Sequence, residues 1–238
     1  MRGQDKTPGQ FRKHQVHIGS ERRYVPPPPE ELDTCLNAFE KYIHDDDPRY
    51  DPLVRCYIAH YQFEAIHPFG DGNGRVGRLL LALMTYHMCH HTRPWLYMSA
   101  YFERYRNEYF DRMFRVSAEG DWESWFEYCL RGTVAQANDS IIRCDLLGSL
   151  RKKYYDLLSG GGSNRDHATV TELFRRPLIT VPQLMKIYGV TYPTAKADIN
   201  RLVDLGILVK LPNTRPKTYY AHKIFHIVYS ENPGQTEG

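Results

Sequence analysis

The sequence predicts a mainly α-helical chain in two parts, a larger helical domain over residues 1–158 and a small domain over 165–238. Three observations predict it. Apolar residues recur at helical spacing through most of the first 158 positions, whereas strand-like alternation is confined to a short stretch near the start and one hairpin near the end. Between the parts, Ser159-Gly160-Gly161-Gly162-Ser163-Asn164 has the composition of a linker. The 238 residues, 42% hydrophobic and 13% aromatic, suffice for a proper core. No apolar run approaches the ~20 residues needed to span a bilayer, and Met1 to Lys6 lacks the apolar centre of a signal peptide.

Residues 1–29 are polar and turn-rich. Within them Gln15 to Ser20 alternates like a short strand, and Arg22-Arg23-Tyr24-Val25 reads as its return. Pro26 to Pro29 stiffen the entry to a helix over about Glu30–His44, whose Leu32, Cys35, Leu36, Phe39 and Ile43 share a face. A second helical pattern, with Val54, Ile58, Tyr61 and Ala65 inward, ends at His67; His60 on it reads as packed in the bundle. A third follows the glycines at 72 and 74. His87, Cys89, His90 and His91 crowd its end without any zinc spacing. Phe102, Tyr105, Tyr109 and Met113 make a stripe on a helix with Ser99 as its expected cap. Asp121 caps a further helix carrying Trp122 and Trp125 and running on toward Leu158. The five cysteines are scattered and form no C-x-x-C pair, as buried thiols of a reducing compartment would be.

The chemistry concentrates in His67-Pro68-Phe69-Gly70-Asp71-Gly72-Asn73-Gly74-Arg75-Val76-Gly77-Arg78. Gly72 and Gly74 form the turn into a helix whose apolar positions are 76, 79, 80, 83 and 84. The free N–H groups and positive dipole of a helix start make an anion site, and Arg75 and Arg78, three apart, add two guanidinium forks. Asp71 stands where a carboxylate can hold Mg²⁺ against phosphates, and His67 is a base within reach. A Walker A loop is excluded because no Lys-Ser or Lys-Thr follows the glycines. A dinucleotide fingerprint is excluded because a helix, not a strand, precedes them. The pattern is a polyphosphate cradle with a general base beside it.

These twelve residues match, without departure, the Fic-family signature H-P-F-x-[D/E]-G-N-G-R-x-x-R, and the resemblance extends over roughly residues 9–145. It implies a Fic-type helical bundle with a β-hairpin flap, and transfer of AMP from ATP to a Tyr, Thr or Ser hydroxyl of a protein. It further implies that His67 deprotonates the hydroxyl and that Asp71 coordinates Mg²⁺, or Mn²⁺ in its place. Gly72, Asn73 and Gly74 would hold the α- and β-phosphates, Arg75 the γ-phosphate, and Arg78 would support them. The hairpin, with Val16, His17, Ile18 and Gly19, would pair with the target backbone, and Asn107 and Tyr109 would border the adenine. Gly74 is the residue of the AMP-transferring branch, where Lys marks a kinase-like branch. An inhibitory [S/T]-x-x-x-E-[G/N] helix is not found in the sequence. The expectation is a truncated or naturally short form lacking its own inhibitor, with Arg78 unrestrained, open to inhibition by a partner in trans, to self-modification and to homodimerisation, in the cytoplasm and away from membranes.

In the C-terminal part, Thr180-Val181-Pro182-Gln183 is a capping box opening a short helix to Gly189. Another helix starts at Thr191, with Ala195, Ile199 and Leu202 inward. Residues 207–211 and 218–221 then pair around Pro212 to Pro216. This order resembles a winged helix-turn-helix. Residues 151–238 hold 13 Lys and Arg against 7 Asp and Glu, while the whole chain carries only +3, so the basic character sits here. Lys196, Asn200 and Arg201 would face DNA if the domain binds it, and a docking role is the other reading. Two alternatives therefore stand beside the AMP-transferring enzyme: a DNA-binding regulator with a nucleotide-sensing Fic domain, and a Fic-type transferase using another nucleotide.

Overall fold

The computed structural model describes residues 9–18, 24–45, 49–90 and 92–230. They fall into two compact units, 1–140 and 141–238. A mainly α-helical architecture is observed, with three short strands in the second unit.

In the first unit a 3₁₀ turn at Pro29–Glu31 leads into α1 (Leu32–His44), which buries Leu32 and Phe39. Helix α2 (Pro52–Ile66) starts on Asp51, whose side chain accepts from Leu53 N–H at 2.8 Å, and has proline in its first turn. It is buried nearly all round, as a central helix must be, by Cys56, Tyr57, Ala59, His60 and Phe63 among others. Helix α3 (Asn73–Met88) packs along it through Leu81 and Met84. The helix expected from a Ser99 cap is instead two, α4 (Met98–Arg104) and α5 (Arg106–Glu119). Tyr105 leaves helical angles (φ −109°, ψ 40°) where its ring packs 4.7 Å from that of Tyr101. Ser99 lies inside α4, whose N-cap is Tyr97. Helix α6 (Trp122–Leu158) begins as expected at Asp121, which accepts from Ser124 N–H at 3.2 Å. Fully buried Tyr57, Trp125 and Tyr128 centre the core.

Of the two strands expected near the start, one antiparallel bridge is present, Ile18 to Tyr24, with Ile18 N–H donating to Tyr24 C=O at 3.0 Å. Gly19 to Arg23 lie outside the described residues.

The second unit takes residues 141–158 of α6 into its own core through Leu150, Tyr154 and Leu158. It continues with α7 (Asn164–Leu173), β1 (Leu178–Thr180), α8 (Val181–Tyr188), α9 (Tyr192–Asp204), β2 (Val209–Lys210), β3 (Thr218–Tyr220) and α10 (His222–Tyr229). The sheet order is β1-β3-β2, antiparallel, with Tyr219 opposite both Ile179 and Lys210. The capping box read at Thr180 and Gln183 is formed, and Ser163 and Asp166 make a second. The sequence reading does not include α7, β1 or α10. Asp166 of α7 and Asp198 of α9 are buried against two arginines: Arg201 reaches Asp166 at 2.8 Å and Asp198 at 3.2 Å, and Arg165 reaches Asp198 at 2.9 Å.

Candidate active site

His67 follows the last residue of α2 in the left-handed region (φ 51°, ψ 59°), which non-glycine residues rarely adopt. Its N–H closes the helix on Phe63 C=O at 3.0 Å. Its ring Nδ1 lies 3.2 Å from the carbonyl oxygen of Glu64. A carbonyl only accepts, so Nδ1 carries the proton and Nε2 keeps a lone pair. Burial lowers the imidazole pKa below its ordinary 6.5; the Glu64 carbonyl opposes that shift and the Arg12 guanidinium adds to it. The ring is therefore neutral at pH 7, with its basic nitrogen fixed.

The loop after His67 is closed by Asn73, buried at the start of α3. Its side-chain amide donates to Phe69 C=O at 2.7 Å and accepts from Phe69 N–H at 2.9 Å. Asn73 thus shapes the loop with the same side chain that was expected to reach phosphate. Gly72 is the N-cap at φ 88°, a conformation that favours glycine. The first intrahelical bonds run from Arg75 and Val76 N–H to Gly72 C=O, so the N–H groups of Asn73 and Gly74 precede them at the positive end of the helix. Both arginines fold back toward that end, as helical side chains do. A Cβ on Gly72 would lie 3.2 Å from Arg75 Nη2, and one on Gly74 would lie 3.1 Å from Arg78 Nη1. The glycines leave space that the guanidinium groups occupy. Arg75 also sits 3.8 Å from the half-exposed Asp71 carboxylate.

These groups face one cavity of about 1000 Å³, at the upper end of small-molecule sites. Its lining includes His67, Asp71 to Arg75 and Arg78 from the signature, His17 and Ile18 from the N-terminal bridge, and Arg106, Asn107 and Tyr109 from α5. Glu64 belongs to it too, 6% exposed, with Oε1 unpartnered. Burial pushes the Glu64 carboxyl up to about 7, partly offset by Arg78. A smaller apolar pocket of about 80 Å³ shares Ile18, Glu64, Phe110 and Met113 with the main cavity and is bordered further by Tyr24, Tyr61 and Ser117.

Residues 1–85 match the family model described as "Fic/DOC family". The chain carries a Fic domain. It is 33% identical over 114 residues to the protein adenylyltransferase Fic of Aedes aegypti, an alignment covering 48% of this chain and 21% of that protein. It is 40% identical over 74 residues to the enzyme of the same name from Nematostella vectensis, covering 31% and 17%. The chain thus spans about a fifth of the length of these relatives. In fold it is similar to a Fic family protein of known crystal structure from Desulfovibrio desulfuricans, at TM-score 0.53 and 20% identity, covering 93% of this chain and 65% of that one.

Around the Fic signature, sequence reasoning missed two residues. Glu64 reads in sequence as one more polar position of α2, and Arg12 as one cation in a polar leader. No periodicity marks either, because each acts across the fold. Tyr109 lines the cavity, but its hydroxyl is 3.0 Å from His60 Nε2. His60 Nδ1 donates to Gly77 C=O at 3.2 Å, so Nε2 accepts from Tyr109. Burial lowers His60 to about 4, so this buried histidine is neutral. Asn107 is exposed on the cavity wall. Val16 precedes His17 in the N-terminal segment but is not part of the lining.

In the C-terminal unit the three residues expected to face DNA differ. Lys196 donates to Tyr219 Oη at 2.6 Å and lies over its ring, and Arg201 is held by Asp166 and Asp198. Asn200 is exposed.

Proposed function

We propose that the Fic domain transfers AMP from ATP to a hydroxyl side chain of a protein. The observation that carries this reading is one cavity holding a tautomer-fixed imidazole, the N-terminus of α3 and the side chains of Arg75 and Arg78. His67 Nε2 takes the proton of the acceptor hydroxyl. The freed oxygen bonds to the α-phosphorus as the bond to the β-bridging oxygen breaks, and pyrophosphate leaves. Charge gathering on that leaving group meets the two guanidinium groups and the helix N-terminus, so positioning and electrostatics supply most of the rate.

Asp71 offers one carboxylate at the edge of the cavity, which suits Mg²⁺, an ion that takes one or two carboxylates with substrate phosphates and water. Bound there, Mg²⁺ or Mn²⁺ would neutralise phosphate charge. The small apolar pocket beside the cavity has the character of a base subsite, with the Tyr61 and Ser117 hydroxyls, 2.7 Å apart, at its border. Gly74, whose place a lysine takes in the kinase-like branch, favours the α- over the γ-phosphorus by analogy. The target backbone would lie along Val16 to Ile18. All five cysteines are unpaired, which fits a cytoplasmic setting.

The test is incubation with Mg²⁺, a cell lysate and ATP labelled at the α- or γ-phosphorus. Label transferred to protein from the α-position, and lost in His67→Ala, is the expected result. Label from the γ-position would make the enzyme a kinase, and none from either would refute transfer.

A further inference from the structure

We propose that Arg12 is a positioning residue for His67, a clasp that registers both arms of the N-terminal hairpin against the base. This rests on the assignment of His67 to AMP transfer. Arg12 is 6% exposed, and its donors reach the main chain of three segments. Nε donates to His67 C=O at 2.8 Å and Nη2 to Ile66 C=O at 3.3 Å; Nη2 also reaches Pro27 C=O, and Nη1 reaches His14 C=O at 3.4 Å. Its own N–H donates to Pro68 C=O at 2.8 Å.

Two needs of the site meet in this group. The last carbonyls of α2 have no helical partner and carry the negative end of the dipole, and the last turn of α2 holds no basic residue. Arg12 supplies both the donors and the cation from outside. His67 is also in a backbone region that a non-glycine residue keeps only where its surroundings hold it there. The bond to its carbonyl does so from one side, and the Nδ1 contact with Glu64 from the other. The same guanidinium binds His14 before the Ile18–Tyr24 bridge and Pro27 after it, while Gln15 Nε2 donates to Pro26 C=O at 2.8 Å. The edge along which a target would lie is thereby fixed relative to Nε2. A planar fork with five donors can bridge several carbonyls, whereas a lysine ammonium retains the charge but not that geometry.

The experiment compares wild type, Arg12→Lys and Arg12→Ala in the full chain by two readouts. The first is the ¹⁵N ring signals of His67 without nucleotide, identified by their loss in His67→Ala. Wild type should show a single Nδ1–H tautomer, and both variants a mixture. The second is ATP affinity beside the rate of AMP transfer. Affinity should stay within about twofold while transfer falls about 10- to 100-fold, the scale of an ångström-sized misplacement. Thermal unfolding confirms that each variant is folded. An unchanged tautomer, or affinity and transfer falling together, would overturn the proposal. If the tautomer mixes in the variants but wild type transfers no AMP, the clasp stands and the reading of the reaction falls.

Discussion

At the scale of single residues, what matters is which atoms carry protons. His67 has a lowered pKa and a fixed Nδ1–H, so the neutral base persists below the ordinary histidine range. The acid limb of kcat/KM for AMP transfer should therefore bend below pH 6.5, as a rate–pH profile would show; a bend above that value would contradict the assignment. Glu64 is the opposite case. Its folded pKa, about 7, is raised from 4.5, so the folded state binds a proton that the unfolded chain releases between those values. Stability at this residue is fully present below about pH 4.5 and is lost as pH rises through 7. Glu64→Gln should therefore be more stable than wild type at pH 8, by on the order of 2–3 kcal/mol, with the gain vanishing near pH 4; parallel denaturant titrations check it. The signature from 67 to 78 was legible because its spacing is local. Arg12 and Glu64 were not legible, because Arg12 meets the end of α2 from more than 50 residues away and Glu64 meets Arg78 only once α2 and α3 have packed. Arg78, expected to be unrestrained, has the Glu64 carboxyl as a neighbour across Gly74.

At the scale of elements, the close approach of α2 and α3 sets the site. A Cβ on Gly77 would fall 2.3 Å from Glu64 Oε1 and 3.0 Å from Phe63 Cδ1. Gly77→Ala should cost about 1–3 kcal/mol through overpacking. Adding Glu64→Ala should recover part of that loss, a coupling that a double-mutant cycle measures. Strict additivity would mean that the two do not meet. Helices α1, α2 and α3 were readable from period and caps. The break at Tyr105 was not, because the apolar stripe of Phe102 and Tyr109 continues across it and only the packing of Tyr105 on Tyr101 marks it. Strand β3 was read as one arm of the hairpin, whereas β1, three residues long, is too short for alternation to distinguish it from a loop.

For the whole molecule, the basic surplus of the second unit suggested a nucleic-acid face, and two of its arginines, Arg201 and Arg165, pair with buried carboxylates inside the unit. Asp198→Ala should destabilise the chain by about 1–3 kcal/mol, because Arg165 loses the carboxylate it reaches and Arg201 keeps only Asp166. Chemical unfolding followed by a probe in residues 141–238 checks this, and a change below about 0.5 kcal/mol would make the network incidental. In the first unit, the proposed transfer needs both a cradle for phosphates and an imidazole that moves one proton. Its most direct test is His67→Ala, assayed for ATP binding and for AMP transfer in one preparation. ATP affinity should stay within about twofold of wild type while transfer falls by about 100-fold or more. Transfer that survives the substitution, or ATP binding lost along with it, would overturn the division of roles between cradle and base.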